Sequence, residues 1–151
     1  MELRIGGKTY TIEYRIEASL CNECTETVSN VMTDVAIASA EKNIKKLICG
    51  MSNIPQITLT MFYAGLLEKH GLDGDGTITS KDDAKTLVKK YFAENPESNF
   101  HDLMRMLMEQ MDKDGFFKQI GLEQIAKSHQ TKKPKTPQDH QKKQTKKVTE
   151  K

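Results

Sequence analysis

The sequence predicts a mainly α-helical domain: a bundle of four to five helices with a short N-terminal β-hairpin, followed by a disordered basic C-terminal tail. Three observations predict it. Apolar residues recur at helical spacing in one segment after another from residue 19 to residue 125. The first sixteen residues alternate polar with apolar on either side of Gly6-Gly7. Beyond Ala126, Val148 is the one apolar aliphatic side chain. A chain of 151 residues suits one domain with a sizeable core, here residues 1–126, with 127–151 as the tail.

Leu3, Ile5, Tyr10, Ile12, Tyr14 and Ile16 carry the alternation, which predicts strands at about 2–5 and 9–16 joined by a glycine turn. A two-stranded ribbon is marginal alone, so it is expected to lie on the helices or to pair with another chain. From Ser19, a fair N-cap, Leu20, Cys24, Val28, Val31 and Val35 form a helical stripe, and Ile37, Ala40, Ile44, Leu47, Ile48 and Met51 continue one. Residues 19–50 are therefore one long helix or two with a break near Thr33 to Ser39. Gly50, Ser52, Asn53 and Pro55 stop it. Leu59, Phe62, Tyr63, Leu66 and Leu67 predict a helix from about Gln56 to His70, with Gly71 as its C′ residue. After a loop over 71–79, Ser80 caps a helix with Asp82 and Asp83 in its first turn and Ala84, Leu87, Val88, Tyr91 and Phe92 on its apolar face. Asn95-Pro96 ends that helix. Ser98 or Asn99 caps the next, whose stripe is Phe100, Leu103, Met104, Leu107, Met108 and Met111, and Gly115 closes it. Phe116, Phe117, Ile120 and Leu122 make a final short apolar segment through about Ile125.

The net charge of +2 conceals a division between a tail of +7 and a body of −5. The tail has nine lysines but no aromatic residue for base stacking and no arginine for bidentate contacts, so nucleic acid is not expected as a partner. It has too few apolar side chains to offset the entropy of ordering. No apolar run approaches the ~18 residues of a transmembrane helix, so no membrane is expected. The N-terminus has no signal-peptide pattern, and three cysteines do not read as a disulfide framework. The expected location is cytoplasmic.

Candidate chemistry is sparse. Gly71 to Asp82 resembles an EF-hand loop at Asp73, Asp75, Gly76 and Ile78, but Gly71 supplies no oxygen at position 1, and Asp82 is one methylene short of the usual Glu at position 12. A polar inter-helix loop is expected there, with a calcium-responsive module as an alternative. Cys21-Asn-Glu-Cys24 is a CxxC without a second ligand pair for zinc or a βαβ setting, and Cys24 lies on the apolar stripe, so it reads as a small core residue beside a bystander. Cys49 reads likewise. His70, His101, His129 and His140 have no partner at a spacing that suggests a relay. No enzyme, metal or cofactor is predicted. The Met-rich segment 104–111 is divided between core and partner groove, since flexible thioethers suit surfaces that accept helical partners.

Residues 58–71, 84–92 and 99–118, behind a Gly-Lys-Thr-Tyr hairpin at 7–10, resemble tail assembly chaperones of long-tailed phages and prophages of Gram-positive bacteria. The resemblance spans about residues 1–125. It implies a non-enzymatic helper in the bacterial host cytoplasm that binds the tape-measure protein and tail tube subunits during tail morphogenesis and is absent from the finished particle. The expected partner-binding residues are Phe62, Tyr63, Met104, Met106, Met108, Met111, Phe116 and Phe117, with homo-oligomerisation possible. A structural tail or head-tail component is the alternative in the same setting. The resemblance also implies that a longer form can arise by ribosomal slippage, for which the Lys132-Lys133, Lys142-Lys143 and Lys146-Lys147 pairs supply A-rich codons.

Overall fold

A computed structural model describes residues 1–41 and 53–123, with the backbone alone for 38–41. The expected tail at 127–151, the end of the apolar segment at Ile125, and the part of the 19–50 segment that includes Ile44, Leu47, Ile48 and Cys49 lie outside them. The described residues form β1 (Glu2–Ile5), β2 (Lys8–Thr11), α1 (Ile16–Leu20), α2 (Asn22–Glu41), α3 (Ile54–His70), α4 (Lys81–Glu94), α5 (Phe100–Lys113) and α6 (Phe116–Gln119). The predicted mainly helical domain with an N-terminal hairpin is what is found.

The hairpin pairs Glu2 with Thr11 and Ile5 with Lys8. Its two-residue turn needs positive φ at both positions, which Gly6 (61°) and Gly7 (79°) supply. Met1 and Ile12 extend the ladder by exchanging backbone hydrogen bonds at 2.7 Å. The second strand is shorter than the alternation predicts. Beyond Ile12 the chain leaves its partner and crosses α3, where the Glu13 N–H donates to the Gly65 carbonyl at 2.8 Å. Ile12 and Tyr14 are fully buried there, so their alternation reflects packing on a helix and not sheet pairing. Ile16 belongs to α1 and is exposed.

α3 is the central element, packed against α1, α2, α4, α5 and β2. Its Gly65 makes the crossing possible: a Cβ there would lie 2.6 Å from Ile12 Cγ2 and 2.8 Å from Tyr14 Cζ. The Tyr14 hydroxyl donates to the Met61 carbonyl at 3.0 Å, and its ring meets Phe116 edge-on at 5.7 Å. Burial holds the Tyr14 phenol well above the ordinary tyrosine range, with nearby Cys24 and Asp114 adding to it. The Tyr14 N–H is taken by Asp114, at the end of α5, at 2.8 Å. One residue thus ties the N-terminal segment to α3, α5 and α6.

Helix ends follow local chemistry. Ser80 and Asp83 form a full capping box on α4, as do Asn99 and Asp102 on α5, so Asn99 and not Ser98 is the cap. Gly115, at φ 74°, separates α5 from α6. Gly71 closes α3 but sits at φ −71°, so it is not a left-handed C′ glycine. Three expectations in the 19–50 segment are corrected. Ser19 is no N-cap: it lies inside α1, its hydroxyl within hydrogen-bond reach of the Arg15 carbonyl and Gln119 Oε1, both at 2.8 Å. The helix break falls at Cys21, and α2 runs through Thr33 to Ser39 without interruption. Only Cys24 and Val28 of the first stripe are buried; Leu20 is 68% exposed and Val35 54%.

Candidate partner-binding surface

The predicted contact residues divide into two groups. Phe62, Met111 and Phe116 are fully buried and present no surface, which corrects them to core residues. Tyr63, Met104, Met106, Met108 and Phe117 are half-buried and rest against that core.

The division follows from how α5 is seated. Leu103, Leu107 and Met111, at four-residue steps, are the fully buried line that meets α3, while Met104 and Met108 flank it. Met106, off the predicted stripe, also reaches the core edge. Phe117 follows the buried Phe116 in α6, their rings 6.1 Å apart and nearly perpendicular. Phe92 and Phe100 join the ends of α4 and α5 through an edge-on contact at 4.7 Å, both half-buried. The α5–α6 side of the domain therefore presents pliable thioethers and a ring, held from behind by close-packed side chains.

Tyr63 belongs to another neighbourhood. Its phenol is raised from the ordinary value by burial and by nearby Cys21, Asp83 and Glu23. Alongside it, Lys81 of α4 donates to Thr60 Oγ1 at 2.7 Å and pairs with Glu23 of α2, and Thr60 reaches the same carboxylate at 3.3 Å. This clasp holds the first turn of α2 against α3 and α4. A threonine hydroxyl that accepts from an ammonium and faces a carboxylate already paired with it has no free base to activate it.

The 71–79 loop folds back on the end of α3. The Asp75 and Ile78 N–H groups donate to the Lys69 and His70 carbonyls. Asp75 Oδ1 accepts from the Thr77 N–H at 3.0 Å and its hydroxyl at 2.6 Å, while Oδ2 faces His70 Nδ1 at 2.8 Å. Those bonds, the Thr77 hydroxyl's first, bring its carboxyl down to about 2. His70 in turn accepts the Thr11 N–H on Nε2 at 3.0 Å, which sets its proton on Nδ1. The loop thus fastens β2 to α3 through His70. Among the described residues no three His, Cys, Asp or Glu side chains converge where a metal ion could be held.

Sequence reasoning missed the most exposed apolar side chains: Leu72, Leu20, Ile16, Val35 and Ile37. Leu20 and Val35 looked like core because they continue the spacing of Cys24 and Val28. Spacing defines a face and does not say how far along the helix a neighbour covers it. Among the described residues no helix is long and apolar enough to cross a membrane. Comparison with protein-family models, curated proteins and solved structures finds no match.

Proposed function

We propose that the chain is a non-enzymatic tail assembly chaperone of a long-tailed phage or prophage, working in the host cytoplasm. It binds the tape-measure protein and tail tube subunits while the tail is built. The observation that supports this reading best is the half-buried methionine rim of α5, with Met104 and Met108 on one flank of the buried line Leu103, Leu107 and Met111 and Met106 on the other, followed by the half-buried Phe117 of α6. An unassembled tape-measure helix exposes apolar positions that aggregate unless covered, and a pliable apolar rim of this kind accepts a helix with modest affinity per copy.

The test is co-purification with a tape-measure segment. Met106→Asp and Phe117→Asp lose the partner while keeping the native circular dichroism spectrum; Ala84→Asp and Leu87→Asp, both at core positions, unfold the domain. Folded Met106→Asp and Phe117→Asp proteins that bind normally refute the surface. Mass spectrometry of purified particles separates the chaperone from a structural tail component, because only the latter remains in the virion.

A further inference from the structure

The CxxC occupies the elbow between α1 and α2. Cys21 is the non-helical residue between them (φ −73°, ψ 93°), and its carbonyl accepts the N–H groups of Cys24 and Thr25, both at 3.0 Å. A bond from residue i to i+3 closes a turn whose end Cα atoms lie within ~7 Å. Disulfides need about 4.4 to 6.8 Å. Both thiols are free, and they differ in access: Cys21 is half-buried at the surface, whereas Cys24 is fully buried and, with Val28, seats α2 on the core. Burial, with Cys21 and Glu23 nearby, pushes the Cys24 thiol up to about 12. The accessible thiol lies one turn from the sequestered one, close enough for a mixed disulfide on the first to be resolved by the second.

We propose that Cys21 and Cys24 form a redox-active dithiol that exchanges with a small-molecule disulfide such as oxidised glutathione. The Cys21 thiolate attacks one sulfur of glutathione disulfide, forming a mixed disulfide and releasing one glutathione thiolate. Cys24 then attacks the Cys21 sulfur as its proton passes to the departing glutathione sulfur, and the second glutathione leaves as a thiol. The two protein thiols are oxidised by two electrons and the glutathione disulfide is reduced to two thiols. In a reducing compartment the dithiol predominates, so the bridge is a transient state and not a staple. Its consequence lies in α2: closing the bridge draws the Cys24 sulfur toward the elbow and shifts the seating of a helix whose Val35 and Ile37 are exposed. The proposal stands independently of the chaperone reading.

The test uses the full chain with Cys49→Ser, which removes the third thiol as an exchange partner. The folded protein is equilibrated in glutathione buffers of graded ratio, quenched in acid, alkylated and weighed. The expected result is loss of two hydrogens, an oxidised fraction that follows the ratio of oxidised glutathione to the square of reduced glutathione, and full reversal by excess thiol, with the circular dichroism spectrum remaining native. Adding Cys24→Ala arrests the reaction as a glutathione adduct on Cys21; adding Cys21→Ser leaves Cys24 unmodified until denaturant is present. The proposal is overturned if both thiols stay reduced in oxidised glutathione alone, if Cys21 keeps its adduct with Cys24 intact, or if the bridge forms only in the unfolded chain.

Discussion

Replacing Gly65 by alanine sets two effects of opposite sign against each other at one atom. In a helix interior, glycine to alanine gains about 1 kcal/mol of helix stability. Here the new Cβ lies 2.6 Å from Ile12 Cγ2 and 2.8 Å from Tyr14 Cζ, both closer than carbon atoms approach. Neither neighbour can swing out: Ile12 is fully buried, and the Tyr14 ring is pinned by its bond to the Met61 carbonyl, a bond itself worth about 1 kcal/mol. Overpacking a filled core costs about 1 to 3 kcal/mol, and with two fixed neighbours the upper half of that range applies. The net expectation is destabilisation by roughly 1 to 2 kcal/mol, the packing loss less the propensity gain. Urea unfolding followed by circular dichroism measures it as a lower midpoint at unchanged slope. Combining Gly65→Ala with Ile12→Ala removes one of the two clashes, so the glycine substitution must be less costly in that background, by about 0.5 kcal/mol or more. A Gly65→Ala protein as stable as wild type, or more so, would refute the claim that the crossing of α3 is built on this glycine.

The capping boxes predict that Ser80→Ala and Asn99→Ala each cost about 1 kcal/mol in urea unfolding, adding independently because they sit on different helices. Asp75 has a folded value near 2 against 3.8 for the free group, so its contribution is fully present above about pH 4 and is lost as the pH falls toward 2. Thr77→Val removes the largest cause of that depression, so the protein is less stable at neutral pH and its stability falls less between pH 4 and 2 than that of the wild type, read by thermal melts across the acid range. Millimolar calcium leaves the melting temperature unchanged, because both oxygens of Asp75 are engaged by Thr77 and His70; a rise in melting temperature with calcium would revive the EF-hand reading.

What the sequence made legible is what local chemistry decides. The Gly6-Gly7 turn, the Ser80 cap, the Gly115 break and the buried lines of α4 and α5 follow from residue types at fixed offsets, whereas the cap of α5 is narrowed only to Ser98 or Asn99. Illegible features depend on contacts distant in sequence. Nothing local to Tyr14 announces that it leaves the sheet to lie on Gly65, and nothing local to Cys21 marks it as the elbow, since the stripe runs through it without a change of period. His70 looked like a solitary residue at a helix end because its partners, Thr11 and Asp75, come from a strand and a loop. For the candidate surface the sequence could not separate Phe62, Met111 and Phe116 from their half-buried neighbours: each lies on the apolar spacing of its own helix, and only the packing of the helices on one another divides them.

Among the described residues, the apolar side chains that α5 and α2 leave facing solvent differ in how they can be used. On α5, each half-exposed methionine has a buried residue beside it, Leu103, Leu107 or Met111, so a partner helix meets a fixed backbone and needs only side-chain adjustment. On α2, full burial ends at Val28, Met32 one turn further rests half-buried against the core, and Val35 and Ile37 are exposed. A ligand bound there acts on a helix held by Cys24, Val28, Met32 and the Lys81–Glu23–Thr60 clasp. Binding at α5 therefore draws on a surface already formed, whereas binding at α2 couples to the elbow at Cys21. On the proposed reading this makes α5 the constant grip on the tape-measure helix. It makes α2 the part whose orientation a second event, such as oxidation of the elbow cysteines, is able to change.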